Sequence, residues 1–257
     1  MEIVTCEKLE PKNMIKFFRR IRYDLMNQNK TSKYFKYAIG EIVLVVIGIL
    51  IALQINNWNE NRKDSIKEQQ YLSNLKKEIQ SDIDFNTRNI LKRYPKKIEV
   101  LNNGKDYYQG KYIPQDTIQF LNDLGYGNVF GNVIWSFHRT TYTQLTSASD
   151  FDIIENDALR ESILKYYNLL NGIDESSEGK PTGYIDFTLS LAPWDPNNPD
   201  DISAFDAKLF ISKVKTEEFY RLINREISLA HNSKDKALKV NERAEHLISL
   251  INRHLND

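Results

Sequence analysis

The sequence predicts an all-α protein: one N-terminal transmembrane helix continuing into an antiparallel helical bundle with long first and last helices. Three observations predict it. Tyr37–Trp58, YAIGEIVLVVIGILIALQINNW, has only Glu41 and Gln54 as polar residues between Ala38 and Ile55, and no Lys or Arg. Asn59 to about Tyr94 runs without Pro or Gly and carries an apolar stripe at helical steps. Thr216 to the end repeats that pattern from Phe219 to Leu255. The chain divides accordingly into a basic cytoplasmic arm (1–36), a span (37–58) and a soluble helical domain (59–257), expected to be periplasmic.

The span comes first because it places the rest. As a helix its residues reach roughly 33 Å, enough to cross a hydrocarbon core of about 30 Å. Trp58 sits where the far interface would fall, as an aromatic-belt residue. Glu41 lies about one turn inside. It either reaches the interface near Lys33 and Lys36 or makes a polar contact with another span. Gly48 and Ala52 form a small-xxx-small pair that permits close approach of two helices.

The arm is basic, with eight Lys/Arg and one acid between Lys12 and Lys36. In MIKFFRRIRYDLM, Met14, Phe17, Phe18, Ile21 and Leu25 recur at helical spacing, while Arg19, Arg20 and Arg22 fill the polar side. This suits an amphipathic helix on an anionic leaflet, or an ordinary flank obeying the positive-inside rule. Both put the N-terminus in the cytoplasm of a single-pass membrane protein. The apolar segment is too long for a cleavable signal, and Met14 is an alternative start.

In the large domain, Ile66, Leu72, Leu75, Ile79, Ile83, Ile90 and Leu91 form the first stripe, ended by Pro95. Lys96–Gln109 is a shorter helix closed by Gly110. Pro114 opens another, closed by Gly125. The apolar run Val129–Phe137 supplies core from Val129, Phe130, Val133, Ile134, Trp135 and Phe137. Helices follow at His138–Ala148 and Asp157–Asn171, the latter capped by Asn156 and stopped by Gly172. Gly179, Pro181 and Gly183 interrupt Ser176–Ala192, and Pro193–Asp201 is a loop. Thr216 caps the coiled-coil-like last helix, whose stripe includes Ile223, Ile227, Ala230, Ala237, Val240, Ala244, Leu247 and Ile251.

MIKFFRRIR at Met14, the span from Tyr37 and the YLSNLKKEI helix at Tyr71 together resemble an uncharacterised family of short membrane proteins, a domain of unknown function common in Bacteroidota. The resemblance implies a bacterial membrane anchor and a helical domain. It carries no activity and no catalytic residues. The interruption at Gly179–Gly183 departs from its helical pattern.

A search for chemistry yields little. Cys6, the one cysteine, precedes the span, so the large domain has no disulfide and no thiolate site. From Asn59 onward 26 Lys/Arg face 30 Asp/Glu, which is no nucleic-acid signature. HExxH and GxSxG are absent; GYGNVFG lacks the ending of a phosphate loop. His246 and His254 lie too far apart on one helix to share a metal and are expected as solvated residues. Asp195, Asn197, Asp200 and Asp201 miss the calcium-loop spacing. Tyr107, Tyr108 and Tyr112 could stack on a ligand but suit packing better. No catalytic residue, cofactor or metal is expected. The expected role is a non-enzymatic interaction or scaffold protein of the cell envelope, with the lipid bilayer and a homo-oligomer or envelope protein as partners. The alternative is an extracytoplasmic ligand-sensing module that signals through a partner.

Overall fold

A computed structural model describes residues 19–20, 23, 31–129, 135–148, 150–176, 182–191 and 203–256. Among the described residues all regular structure is helical. The elements are α1 (Thr31–Asn86), a π-helical turn (Thr87–Leu91), α2 (Tyr94–Tyr108), α3 (Thr117–Val129), α4 (Thr140–Ser147), a 3-10 turn (Asp150–Ile153), α5 (Asp157–Ser176), α6 (Gly183–Leu191), α7 (Ala204–Val214) and α8 (Glu217–Asn256). Contacts divide the chain into two units, Met1–Ile66 and Lys67–Asp257.

In the first unit, α1 contains a stretch long and apolar enough to cross a membrane, with none of it buried. Its large apolar side chains from Ile39 to Ile55 are exposed, as is Trp58. Glu41 is half-buried, Ala52 is exposed, and nothing lies within 4 Å of where a Cβ on Gly48 would stand. Arg19 and Arg20 are helical and exposed; Phe17, Phe18 and Arg22 lie outside the described residues.

The second unit holds two apolar cores. The first is built by Leu72, Leu75, Ile79 and Ile83 of α1, by Ile163, Tyr166, Tyr167 and Leu170 of α5, and by Val240, Ala244, Leu247 and Ile251 of α8. The second gathers Ile90, Tyr94, Leu101, Phe120, Leu124, Tyr184, Phe210, Phe219 and Ile223 around α2 and the start of α8. Half-buried Trp135 packs against both. A polar layer separates them along the chain. Asn86 Nδ2 donates to Asn241 Oδ1 at 3.2 Å, and Asn241 Nδ2 donates to Thr87 Oγ1 at 3.1 Å. Asn86 is wholly buried.

Several boundaries differ from expectation, each for a local reason. The first long helix ends at Asn86, not at Pro95. The π turn intervenes, and Pro95 instead opens α2, where its missing N–H costs nothing. Asp116, not Pro114, starts α3: its Oδ1 accepts from the N–H groups of Ile118 and Gln119 at 2.9 and 3.0 Å. Gly125 does not stop α3, nor Gly172 α5; the helices run on to Val129 and Ser176. Gly110, by contrast, takes φ 72° just past α2, the left-handed conformation that favours glycine. Asn156 Oδ1 accepts from Leu159 N–H at 3.0 Å, and Thr216 Oγ1 from Phe219 N–H at 3.3 Å, so both expected caps hold. The interrupted stretch contains α6. Helix α7, which the sequence reading passes over, is capped by Ser203 accepting from Asp206 N–H at 3.1 Å. Pro193–Asp201 with its acids, and the side chains of Val129, Phe130, Val133 and Ile134, lie outside the described residues; Trp135 and Phe137 are half-buried.

Candidate functional site

The second unit sets two carboxylates of α1, one buried and one half-buried, against residues 135–148. Glu78 and Asp82 are one turn apart on α1, beside the core residues Leu75 and Ile79. Like charges at that spacing repel, so each needs donors from elsewhere. Residues 135–148 supply them. The His138 backbone N–H donates to Asp82 Oδ1 at 3.0 Å, and His138 Nδ1 lies 2.8 Å from the same oxygen. With the proton on Nδ1 the ring donates to the carboxylate. Tyr166 of α5 donates its hydroxyl to Asp82 Oδ2 at 3.0 Å. Asp82 is wholly buried, whereas the His138 side chain is 51% exposed.

One turn away, Glu78 caps α4 from outside. Its Oε1 accepts from Thr141 N–H at 3.0 Å and from Thr141 Oγ1 at 2.8 Å, and its Oε2 from the same N–H at 3.2 Å. Arg139, the residue at the cap position, makes no side-chain cap bond. Glu78 thus satisfies an orphan donor and places negative charge at a helix N-terminus. Arg139 Nη2 instead donates to Asp174 Oδ2 at 2.5 Å. Further along, Asp150 Oδ2 accepts from Tyr71 at 2.9 Å and meets Lys67 Nζ at 2.6 Å. Residues 138, 141 and 150 therefore meet α1 at 82, 78, and 71 with 67. Aromatic rings fill the space beneath. Tyr142 stacks on Tyr167 at 4.0 Å, and Tyr167 meets Tyr166 edge-on at 5.2 Å.

Burial holds the Asp82 carboxyl above its ordinary range, opposed by the hydrogen bonds from His138 and Tyr166. Lys67 and Tyr71 hold Asp150 below the usual range through their hydrogen bonds. Burial pushes the Tyr166 and Tyr167 phenols well up, reinforced by nearby carboxylates. The Tyr167 hydroxyl is buried without a hydrogen-bond partner among the described residues.

A second polar centre sits in the other core. Lys97 Nζ and Glu226 Oε1 are 2.6 Å apart, each side chain 1% exposed. Thr182 Oγ1 donates to Glu226 Oε2 at 2.7 Å, and the Lys97 ammonium lies 5.3 Å from the centre of the Tyr94 ring. Burial pulls the Lys97 amine down and Glu226 resists this. With both ions sealed from solvent, this pair joins α2 to α8 and offers no approach to a ligand.

Among the described residues, no group of three or more His, Cys, Asp or Glu could hold a metal ion. His254, expected in solvent, lies 2.9 Å from Glu68 Oε1 of α1 and is 26% exposed. The tyrosines near Gly110 pack on the protein: Tyr107 and Tyr112 on Phe120, Tyr108 on Tyr220. The sequence reading missed Asp82, Glu78 and His138 together. Their signal was two carboxylates one turn apart on the edge of an apolar stripe.

Comparison with known proteins adds one decisive observation. A sequence model for DUF6090, described as a family of unknown function, matches residues 41–171, just over half of the chain. The chain belongs to DUF6090. The DUF6090 segment begins at Glu41, inside the apolar stretch, and ends within α5. It holds Glu78, Asp82, His138, Thr141, Tyr166 and Tyr167, and stops before α8. Neither curated proteins nor solved structures gave a match.

Proposed function

We propose that this chain is a single-pass, membrane-anchored, non-enzymatic interaction or scaffold protein of the bacterial cell envelope. Its basic N-terminus lies in the cytoplasm and its large unit in the periplasm. One observation carries the reading: an α-helix whose apolar side chains from Ile39 to Ile55 are all exposed. Water does not tolerate such a face, and a bilayer covers it. In this reading the second unit is an antiparallel helical bundle standing on the membrane. The pairing of Glu68 with His254 and of Asn86 with Asn241 supports that arrangement, because α8 numbers fall as α1 numbers rise. The protein's partner is a second copy of this chain or an envelope protein.

The test is topological. Cys6→Ser with Ser212→Cys, in full-length protein, is treated with a membrane-impermeant maleimide in cells whose inner membrane is intact. Ser212 is exposed, so labelling is expected without permeabilisation. Labelling only after permeabilisation would sink the periplasmic assignment. A chain that stays monomeric under cross-linking in mild detergent, with nothing attached, would sink the scaffold role.

One observation favours a second reading, an extracytoplasmic sensing module signalling through a partner. Helix α1 carries the apolar stretch and also the carboxylates that hold residues 138–141. A thermal-shift screen in which no small molecule stabilises the protein would remove that reading.

A further inference from the structure

We propose that His138 and Asp82 form a proton-operated latch, which holds residues 138–141 more tightly against α1 when His138 is charged than when it is neutral. The inference goes beyond both readings above and needs neither, since every group lies in the unit Lys67–Asp257. It rests on three geometric facts. The carboxylate is wholly buried and fixed by Tyr166 on its other oxygen, so it cannot turn to follow a departing ring. The imidazole is half-exposed, so protons reach it from solvent. Both bonds from the segment to Asp82 come from one residue, His138, through its N–H and its ring.

Histidine is the side chain whose ordinary titration falls between about pH 5 and 8. A charged ring faces Asp82 as an ion pair, and a neutral ring as a hydrogen bond alone. The closed state thus gains most when the proton is bound, and proton binding and closure favour one another. The remaining charged and titratable groups leave this balance in place. On the segment, Arg139 is engaged by Asp174 of α5. On α1, Glu78 is engaged by Thr141. On α5, burial pushes the Tyr166 and Tyr167 phenols further up, so both are neutral across that range. Burial holds the Asp82 carboxyl up, which is the cost that the charged ring offsets. A second pair of the same kind, His254 with Glu68, ties α8 to the same helix and serves as an internal comparison.

The backbone N–H groups of His138 and Thr141 are direct reporters, because each donates to an α1 carboxylate. Hydrogen exchange is measured on the full-length protein in detergent, each rate divided by the intrinsic rate at that pH. Protection of these two amides is expected to fall on the order of fivefold from about pH 6 to about pH 8, the difference between a charge-assisted and a neutral bond. In His138→Gln the fall is expected to vanish, while His254→Gln keeps it. Equal protection at both pH values in the native protein would overturn the latch, whether or not the variants fold. So would a fall that persists in His138→Gln.

Discussion

Asp82 and Lys97 are both buried charges, yet they answer to different tests. Burial holds the Asp82 carboxyl above its ordinary range, so the folded state binds this proton more tightly than the unfolded chain. Its contribution to stability is present below the ordinary carboxylate range and is lost as pH rises through the raised value. Urea denaturation of the native protein between about pH 4 and about pH 7 should therefore show a decline that Asp82→Asn flattens. Asp82→Ala, which strands the Tyr166 hydroxyl and the His138 N–H, should cost about 2–3 kcal/mol at neutral pH. Lys97→Ala leaves Glu226 sealed without its cation and should cost about 3–5 kcal/mol in the same assay. The double change Lys97→Met with Glu226→Leu should restore native stability or exceed it, because two desolvated ions give way to apolar packing. A double variant as weak as Lys97→Ala would mean the site cannot repack.

At the scale of elements, two glycines separate packing from propensity. A Cβ on Gly104 of α2 would stand 2.6 Å from Leu124 Cδ2 and 2.7 Å from Ile223 Cδ1. Gly104→Ala should cost about 1–3 kcal/mol by overfilling the contact of α2 with α3 and α8. Gly172, inside α5, has nothing within 4 Å of its added Cβ. Gly172→Ala should stabilise by about 0.5–1 kcal/mol, read as a raised urea midpoint. That Gly172 lies mid-helix shows where sequence reading loses its grip: a glycine permits a stop without requiring one. Caps built from a side chain and its own helix were legible, as at Asn156 and Thr216. The cap of α4 was not, because Glu78 reaches it from 63 residues away. The stripe of α8 was nearly legible. Its buried positions follow alternating steps of four and three through Phe219, Ile223, Glu226, Ala230, Ser233, Ala237 and Val240, with Ser233 half-buried. Choosing Ile227 over Glu226 follows hydropathy and misses the period. A charged residue on that period was the one sign of a buried partner, Lys97. The apolar stretch of α1 needed no partner to be read, since its length and composition are local.

For the molecule as a whole, the two cores and the polar layer between them set how the helices find one another. An apolar seam is forgiving: a helix can slide about 5.4 Å, one turn, and still bury its leucines. The Asn86–Asn241–Thr87 layer removes that tolerance, because a slid helix would set amides against aliphatic side chains at about 1–3 kcal/mol for each stranded group. Asn86→Leu with Asn241→Leu should therefore raise the urea midpoint while a second, misaligned species appears in the amide spectrum. A single species would show that alignment is set elsewhere. The layer works as an address written in two amides: it adds little strength, but it tells each half of α8 which core it belongs to. The native alignment strands one atom of the layer, Asn86 Oδ1; a wrong alignment strands the others as well, and so has a reason to let go and try again.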